Sequence, residues 1–150
     1  MKNREPLPQK DILKIINEIK FFNVFTEYEK KRLAGVGGCI AKYNPGVKII
    51  KEGESDATFY VLHSGVVAVH KRGVHLNNLA EGEIFGEMAF LVNTIRSTSV
   101  TAQEKVTVFC LDQDSMARLN CEIREKIKDH CIRKLVNRLN KMTERFRMRV

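Results

Sequence analysis

The sequence predicts a mainly β fold flanked by helices, and two observations carry this prediction. Between residues 39 and 111, short apolar runs alternate with glycine-containing turns, at intervals that suit strands of about 5–8 residues. On both sides of this region, apolar residues recur in steps of three and four, which is typical of helices. Several short strands at regular spacing indicate a sandwich or a barrel.

The N-terminal part predicts a disordered lead and two short helices. Residues 1–9 form the lead, because Pro6 and Pro8 prevent an early helix. From Lys10 the apolar residues fall on one helical face. These are Ile12, Leu13, Ile16, Ile19 and Phe22. Thr26–Glu29 then has the pattern of a capping box and predicts a second helix that ends at the glycines Gly35, Gly37 and Gly38.

The central region predicts strands wherever apolar residues alternate between turns. Alternation is visible at Val47–Ile49, Ala57–Val61, Val66–His70 and Val106–Cys110. Gly53 and Gly65 lie in the turns, where a positive φ is required and glycine supplies it.

The C-terminal part predicts a short helix followed by a long basic one. The short helix starts at Asp112–Ser115, and the long one runs from about Cys121 to about Phe146. Its apolar stripe has to be buried, either against the β region or against a second copy as a coiled coil. The stripe consists of Ile123, Ile127, Cys131, Leu135, Leu139, Met142 and Phe146. Residues 121–150 hold ten Lys and Arg against four Asp and Glu. Such a basic face could bind nucleic acid or an anionic membrane surface, or it could be the solvated side of a helix in a dimer. We favour the dimer helix.

Composition and length set the remaining bounds. A chain of 150 residues is most simply one domain, and no apolar run approaches the ~18 residues of a membrane span. No signal-peptide core follows Met1, so a cytoplasmic location is expected. Cys39, Cys110, Cys121 and Cys131 lack CxxC spacing, which predicts thiols and no metal site. A cupin-like metal enzyme using His63, His70 and His75 is a less favoured alternative, because His-x-His spacing is absent.

The stretch from Gly82 to Thr98 has the chemistry of a binding site. Met88–Leu91 can form one helical turn, and Gly86 before it leaves backbone N–H groups open, which favours an anion. Arg96 can close on the same anion with a donor fork that matches phosphate, beside the hydroxyls of Ser97 and Thr98. Glu87 would repel a phosphate unless it accepts hydrogen bonds from a sugar hydroxyl of the same ligand. Phosphate and sugar together indicate a nucleotide, and no GxxxxGK[ST] loop or strand-borne GxGxxG is present.

The segment Phe85–Leu91, together with Arg96–Thr98, resembles the phosphate-binding cassette of the cyclic nucleotide-binding domain family. The resemblance extends over roughly residues 20–120 and implies an antiparallel β-roll or jelly-roll barrel. It also implies roles in ligand binding for a defined set of residues. They are Gly86, Glu87, Met88, Ala89, Arg96, Ser97 and Thr98, joined by Met142 and Thr143 as candidate contacts of the base. Ile95 stands where many members have proline, so the loop that presents Arg96 is less constrained here.

The resemblance implies a sensor and no catalysis. We expect residues 10–120 to bind cyclic AMP or cyclic GMP without a metal, and residues 121–150 to act as a lid or dimerisation helix. A homodimer through residues 121–148, or an unidentified effector protein, would receive the signal. Direct DNA binding is not expected, because no DNA-reading element precedes Val150. An alternative from a different functional class is a dimerisation or nucleic-acid-associated module whose degenerate cassette binds no ligand.

Overall fold

The computed structural model describes residues 3–4, 7–36, 39–92 and 94–148. The chain divides into two compact units, Met1–Leu119 and Asn120–Val150. The first unit contains every strand that the structure describes, and the second consists of one long helix.

The helices and strands follow one another as the glycine turns predict. The helices are α1 Gln9–Glu18, a 3-10 helix Lys20–Val24, α2 Glu27–Gly35, α3 Glu87–Val92, α4 Gln113–Ala117 and α5 Cys121–Met148. The strands are β1 Asn3–Arg4, β2 Cys39–Tyr43, β3 Lys48–Ile50, β4 Phe59–Ser64, β5 Val67–Lys71, β6 Val74–Leu79, β7 Ile84–Phe85, β8 Ser99–Ala102 and β9 Val106–Leu111.

The strands of the first unit form two antiparallel sheets. One has the order β1-β2-β9-β4-β7 and the other β3-β8-β5-β6. Side chains from both sheets make one apolar core. Its buried members are Ala41, Tyr43, Ile49, Ile50, Tyr60, Leu62, Val67, Leu79, Phe85, Val100, Ala102, Val106, Val108 and Cys110. The predicted fold class, antiparallel β with short helices and a long C-terminal helix, is confirmed.

The N-terminal segment differs from its prediction in two places. Within the predicted lead, β1 pairs with β2, and no apolar alternation announces so short a strand; Pro6 lies outside the described residues. The first helix ends at Glu18, because Ile19 has an extended backbone, so Phe22 belongs to the separate 3-10 helix. The ring of Phe22 packs edge-on against Phe109 at a centroid distance of 5.2 Å, which ties this helix to β9.

The helix starts that depend on local chemistry are confirmed. Thr26 Oγ1 accepts the N–H of Glu29, and the Glu29 carboxylate accepts the N–H of Thr26, as a capping box requires. Asp112 caps α4 by accepting the N–H of Ser115. Gly37 and Gly38, predicted to end the second helix together with Gly35, lie outside the described residues.

Candidate functional site

The predicted cassette lies between β7 and β8. The predicted helical turn is α3, and Gly86 separates it from β7. Phe85, the last residue of β7, pairs with Tyr60 on β4, and their rings stack at 4.9 Å with an interplanar angle of 7°. This stack fixes the end of β7 and therefore the position of Gly86.

Gly86 occupies a position that excludes a side chain for two separate reasons. Its φ is +77°, in the left-handed region that glycine adopts without penalty. A Cβ atom built on it would lie 2.8 Å from the carbonyl oxygen of Thr58 and 3.0 Å from Nη1 of Arg96. The bend before α3 thus depends on glycine and on the close approach of Arg96.

Arg96 is folded inward and holds the cassette to the segment that precedes β4. Its side chain is buried, at 4% exposure, and Nη1 donates to the carbonyl of Gly86 at 2.8 Å. Nη2 donates to the carbonyl of Thr58 at 2.6 Å and lies 3.6 Å from Oδ2 of Asp56. The guanidinium therefore joins three segments: its own loop, Gly86 ten positions away, and the Asp56–Thr58 turn, whose Thr58 is 38 positions away.

The backbone of Arg96 is held as firmly as its side chain. Its N–H donates to the carbonyl of Glu54 at 2.8 Å, and its carbonyl accepts the N–H of Gly53 at 2.9 Å. Ile95 itself is exposed. The two backbone bonds restrict the loop where proline would restrict it in other members, so the substitution at this position does not leave Arg96 without support.

Arg96 keeps N–H donors that could bind an anion. A guanidinium has five N–H donors, and the two hydrogen bonds above use two of them. Nε is buried and has no hydrogen-bond partner among the described residues. A buried donor without a partner costs about 1–3 kcal/mol, which a phosphate oxygen could recover.

The other predicted residues of the cassette divide into buried and exposed ones. Glu87 and Ala89 are buried at the start of α3, whereas Met88 is 52% exposed. Ser97 is exposed and Thr98 is half-buried. Met142 and Thr143 lie on α5 in the second unit; both are exposed, and Thr143 Oγ1 donates to the carbonyl of Leu139. The contact of these two residues with a base stays a prediction.

Sequence reasoning missed the residues that position Arg96. Asp56 accepts two bonds from Thr58, from its N–H at 3.1 Å and its hydroxyl at 2.7 Å, and this turn presents the Thr58 carbonyl to Arg96. The available signal was the set of acidic residues around the predicted turn at Gly53, namely Glu52, Glu54 and Asp56.

Tyr60 carries a buried hydroxyl that the fold does not use. Its oxygen has no hydrogen-bond partner among the residues described. Burial raises the pKa of Tyr60 well above its ordinary value, and Tyr43, Cys110 and Asp56 raise it further, with Arg96 opposing them. The phenol is therefore neutral, and its ring contributes by stacking on Phe85.

The change Tyr60→Phe should leave the free energy of unfolding unchanged or raise it by about 1 kcal/mol. It removes a polar group that is desolvated without compensation and keeps the stacked ring. Urea denaturation of the two proteins measures the difference. A loss above 1 kcal/mol would show that the hydroxyl has a stabilising partner.

Of the three histidines of the alternative hypothesis, two lie together and the third contacts a different part of the chain. His63 Nε2 lies 2.7 Å from Oε2 of Glu18, while His70 and His75 face each other across β5 and β6 with ring centroids 5.4 Å apart. In the described part of the chain, no three His, Cys, Asp or Glu side chains are grouped so as to hold a metal ion. Within these same residues, no helix combines the length and apolarity needed to cross a membrane.

Fold and site together define a two-sheet β domain with a glycine- and arginine-based cassette. The family model of the cyclic nucleotide-binding domain matches residues 40–120, more than half of the chain, and the chain belongs to this family.

Two curated relatives show how much of a larger protein this chain resembles. The cGMP-dependent protein kinase of Eimeria tenella is 33% identical over 101 residues, which are 67% of this chain and 10% of the kinase. The cAMP-dependent protein kinase regulatory subunit of Yarrowia lipolytica is 31% identical over 117 residues, which are 77% of this chain and 31% of that subunit. The chain thus spans less than a third of either relative.

A solved structure is similar over almost its whole length. The structure of Sp-2Cl-cAMPS bound to PKAR CBD2 superposes with a TM-score of 0.73 at 28% identity, covering 92% of this chain and 94% of that one. The similarity therefore extends over nearly all of both chains.

Proposed function

We propose that this chain binds cyclic AMP or cyclic GMP through its cassette and acts as a regulatory sensor without catalysis. The observation that carries the proposal is Arg96, whose Nη1 donates to Gly86 while its Nε has no acceptor within the described part of the chain. Arg96 and the N–H groups of Gly86 and Ala89 would hold the cyclic phosphate, with Ser97, Thr98 and Met88 beside it. Glu87 would accept the ribose 2′-hydroxyl.

Support for a nucleotide, as opposed to a simple phosphate, comes from Glu87. Glu87 is a buried carboxylate next to Gly86, and the ribose 2′-hydroxyl of a cyclic nucleotide is a donor that inorganic phosphate does not offer it. The similar structure that contains Sp-2Cl-cAMPS has a cyclic nucleotide analogue of this chemistry. Inorganic phosphate is therefore expected to bind far more weakly than cyclic AMP.

The isosteric change Glu87→Gln tests this role directly. We expect the affinity for cyclic AMP, measured by calorimetric titration, to fall by about 5- to 13-fold, because a charge-assisted bond worth about 1.5–3 kcal/mol becomes a neutral one worth about 0.5–1.5 kcal/mol. Glu81→Gln is the matched control, since Glu81 is exposed in the turn before β7. Equal affinities in the two variants would reject Glu87 as the sugar ligand, and absence of heat with both nucleotides in the parent would reject the sensor.

A second candidate function has one observation in its favour. Nη1 and Nη2 of Arg96 already bind protein carbonyls, so the guanidinium could serve only to hold the loop of a module that binds no ligand. Such a module would give no heat with either nucleotide although Arg96 variants unfold more easily.

The signal would leave the domain through α5, to a second copy or to an effector protein. A ligand shifts a helix only by the difference in its affinity for the two states. Exposed apolar residues on this helix are available for a partner: Ile132, Val136, Leu139, Met142 and Phe146.

Cyclic AMP should change amide hydrogen exchange across residues 121–148 if α5 is the output element. Exchange followed by mass spectrometry, with and without ligand, measures this, and α2 serves as the internal reference. Protection that changes in the cassette but not in α5 would reject the helix as the output element and leave the binding site intact.

A further inference from the structure

Two thiols lie directly opposite each other in the larger sheet. Cys39 on β2 pairs in register with Cys110 on β9. Residues opposite each other in antiparallel strands project to the same face, with Cβ atoms about 4.5–5.5 Å apart. Cys110 is a member of the apolar core and Cys39 packs against that core, so both side chains point to the inner side of the sheet.

The backbone at this pair already has the spacing of a disulfide. Opposed residues of antiparallel strands have Cα atoms about 4.5–5.5 Å apart, and disulfides join Cα atoms about 4.4–6.8 Å apart. Neither cysteine is disulfide-bonded in the structure. The register of the two strands therefore places the Cα atoms at a separation that an S–S bond can span.

The two thiols differ in access, which gives them different roles. Cys39 is half-buried at the start of β2, whereas Cys110 is 2% exposed. An oxidant in solution therefore reaches Cys39 first. Cys110 is held in the core beside it and is protected from direct attack.

We propose that Cys39 and Cys110 form a site of reversible oxidation by hydroperoxides. The sulfur of Cys39 attacks the O–O bond of hydrogen peroxide, which gives a sulfenic acid on Cys39 and one water. The sulfur of Cys110 then attacks the sulfenic sulfur, and the S–S bond forms as the oxygen leaves in a second water. Two thiols lose two electrons and two protons, and the peroxide is reduced to two waters.

The other two cysteines cannot form the same bond with each other. Cys121 and Cys131 are ten positions apart on α5, which places them about 15 Å apart along the helix axis. They provide matched controls, because they share the thiol chemistry but not the opposed geometry.

Oxidation should also be visible in stability. A bond between residues 39 and 110 closes a long loop, and closing a loop restricts the unfolded chain. The oxidised protein is therefore expected to have a higher Tm than the reduced one. This effect does not depend on nucleotide binding, so the site can be tested whether or not the proposed function holds.

The test is peptide mapping of the folded protein after hydrogen peroxide treatment, without reducing agent. We expect a Cys39–Cys110 linked peptide that has lost two hydrogens and is restored by dithiothreitol. The double variant Cys121→Ser/Cys131→Ser should keep both the linked peptide and the rise in Tm. The variants Cys39→Ser and Cys39→Ala should show neither the linked peptide nor the rise in Tm. In Cys110→Ala, dimedone should label Cys39, because the sulfenic acid has no thiol to close on.

Two results would overturn the proposal. One is recovery of both cysteines unlinked, whether unmodified or oxidised to sulfinic acid, while the protein stays folded. The other is a rise in Tm that persists in the Cys39 variants, since the stabilising bond would then lie elsewhere.

Discussion

Replacing Arg96 by alanine should lower the free energy of unfolding by about 3–5 kcal/mol, because the guanidinium is a buried charge that joins three segments. Its loss removes the donor from the carbonyls of Gly86 and Thr58 and leaves a cavity beneath the cassette. Affinity for cyclic AMP should fall by more than about 100-fold in the protein that remains folded, since at least two charge-assisted bonds to phosphate are lost. Urea denaturation and calorimetric titration measure the two effects separately.

Arg96→Lys and Arg32→Ala complete the series. Lysine keeps the charge but has no planar fork, so it cannot reach both carbonyls. The unfolding free energy and the cyclic AMP affinity of Arg96→Lys should both fall between the values of the parent and of the alanine variant. Arg32 is exposed in the last turn of α2, and its loss should change neither quantity. Reduced stability with unchanged affinity in Arg96→Lys would assign Arg96 to the loop alone, and unchanged stability in Arg96→Ala would contradict the buried contacts.

The sequence predicted those helix starts that depend on residues close together in the chain. Thr26 and Asp112 cap their helices because the side-chain acceptor and the N–H it binds are three residues apart in the chain. Alternation marked segments that overlap β3, β4, β5 and β9, but it did not mark β2 or β8. β6 was not predicted, although Val74 and Leu76 alternate with polar residues; both are exposed, so this alternation is not that of a strand with one buried face.

The site shows the limit of the same reasoning. The motif placed Gly86 and Arg96 in one cassette, but Thr58 is 38 positions from Arg96 and meets it only through the sheet. Burial of the guanidinium also depends on this long-range packing. A motif indicates which residues meet a ligand, whereas the groups that orient them are chosen by the fold.

The pairing of Cys39 with Cys110 illustrates this on a larger scale. Their spacing in the chain suggested two unrelated thiols, because 71 positions and six intervening strands separate them. The register of β2 against β9 brings them together, and register is set by the burial of whole strands. No pattern in the sequence around either cysteine could reveal it.

Gly86→Ala should destabilise the fold by about 2–5 kcal/mol and abolish measurable binding of cyclic AMP. Alanine at φ +77° costs about 1–2 kcal/mol, and the clash of its Cβ with the Thr58 carbonyl adds about 1–3 kcal/mol. Gly73→Ala is the matched control, because Gly73 has φ +78° and its Cβ would meet no atom within 4 Å. The difference in unfolding free energy between the two variants thus measures the clash without the backbone term. If both variants lose the same stability, the close approach of Thr58 and Arg96 to Gly86 is not a constraint, and the cassette could admit a side chain at its bend.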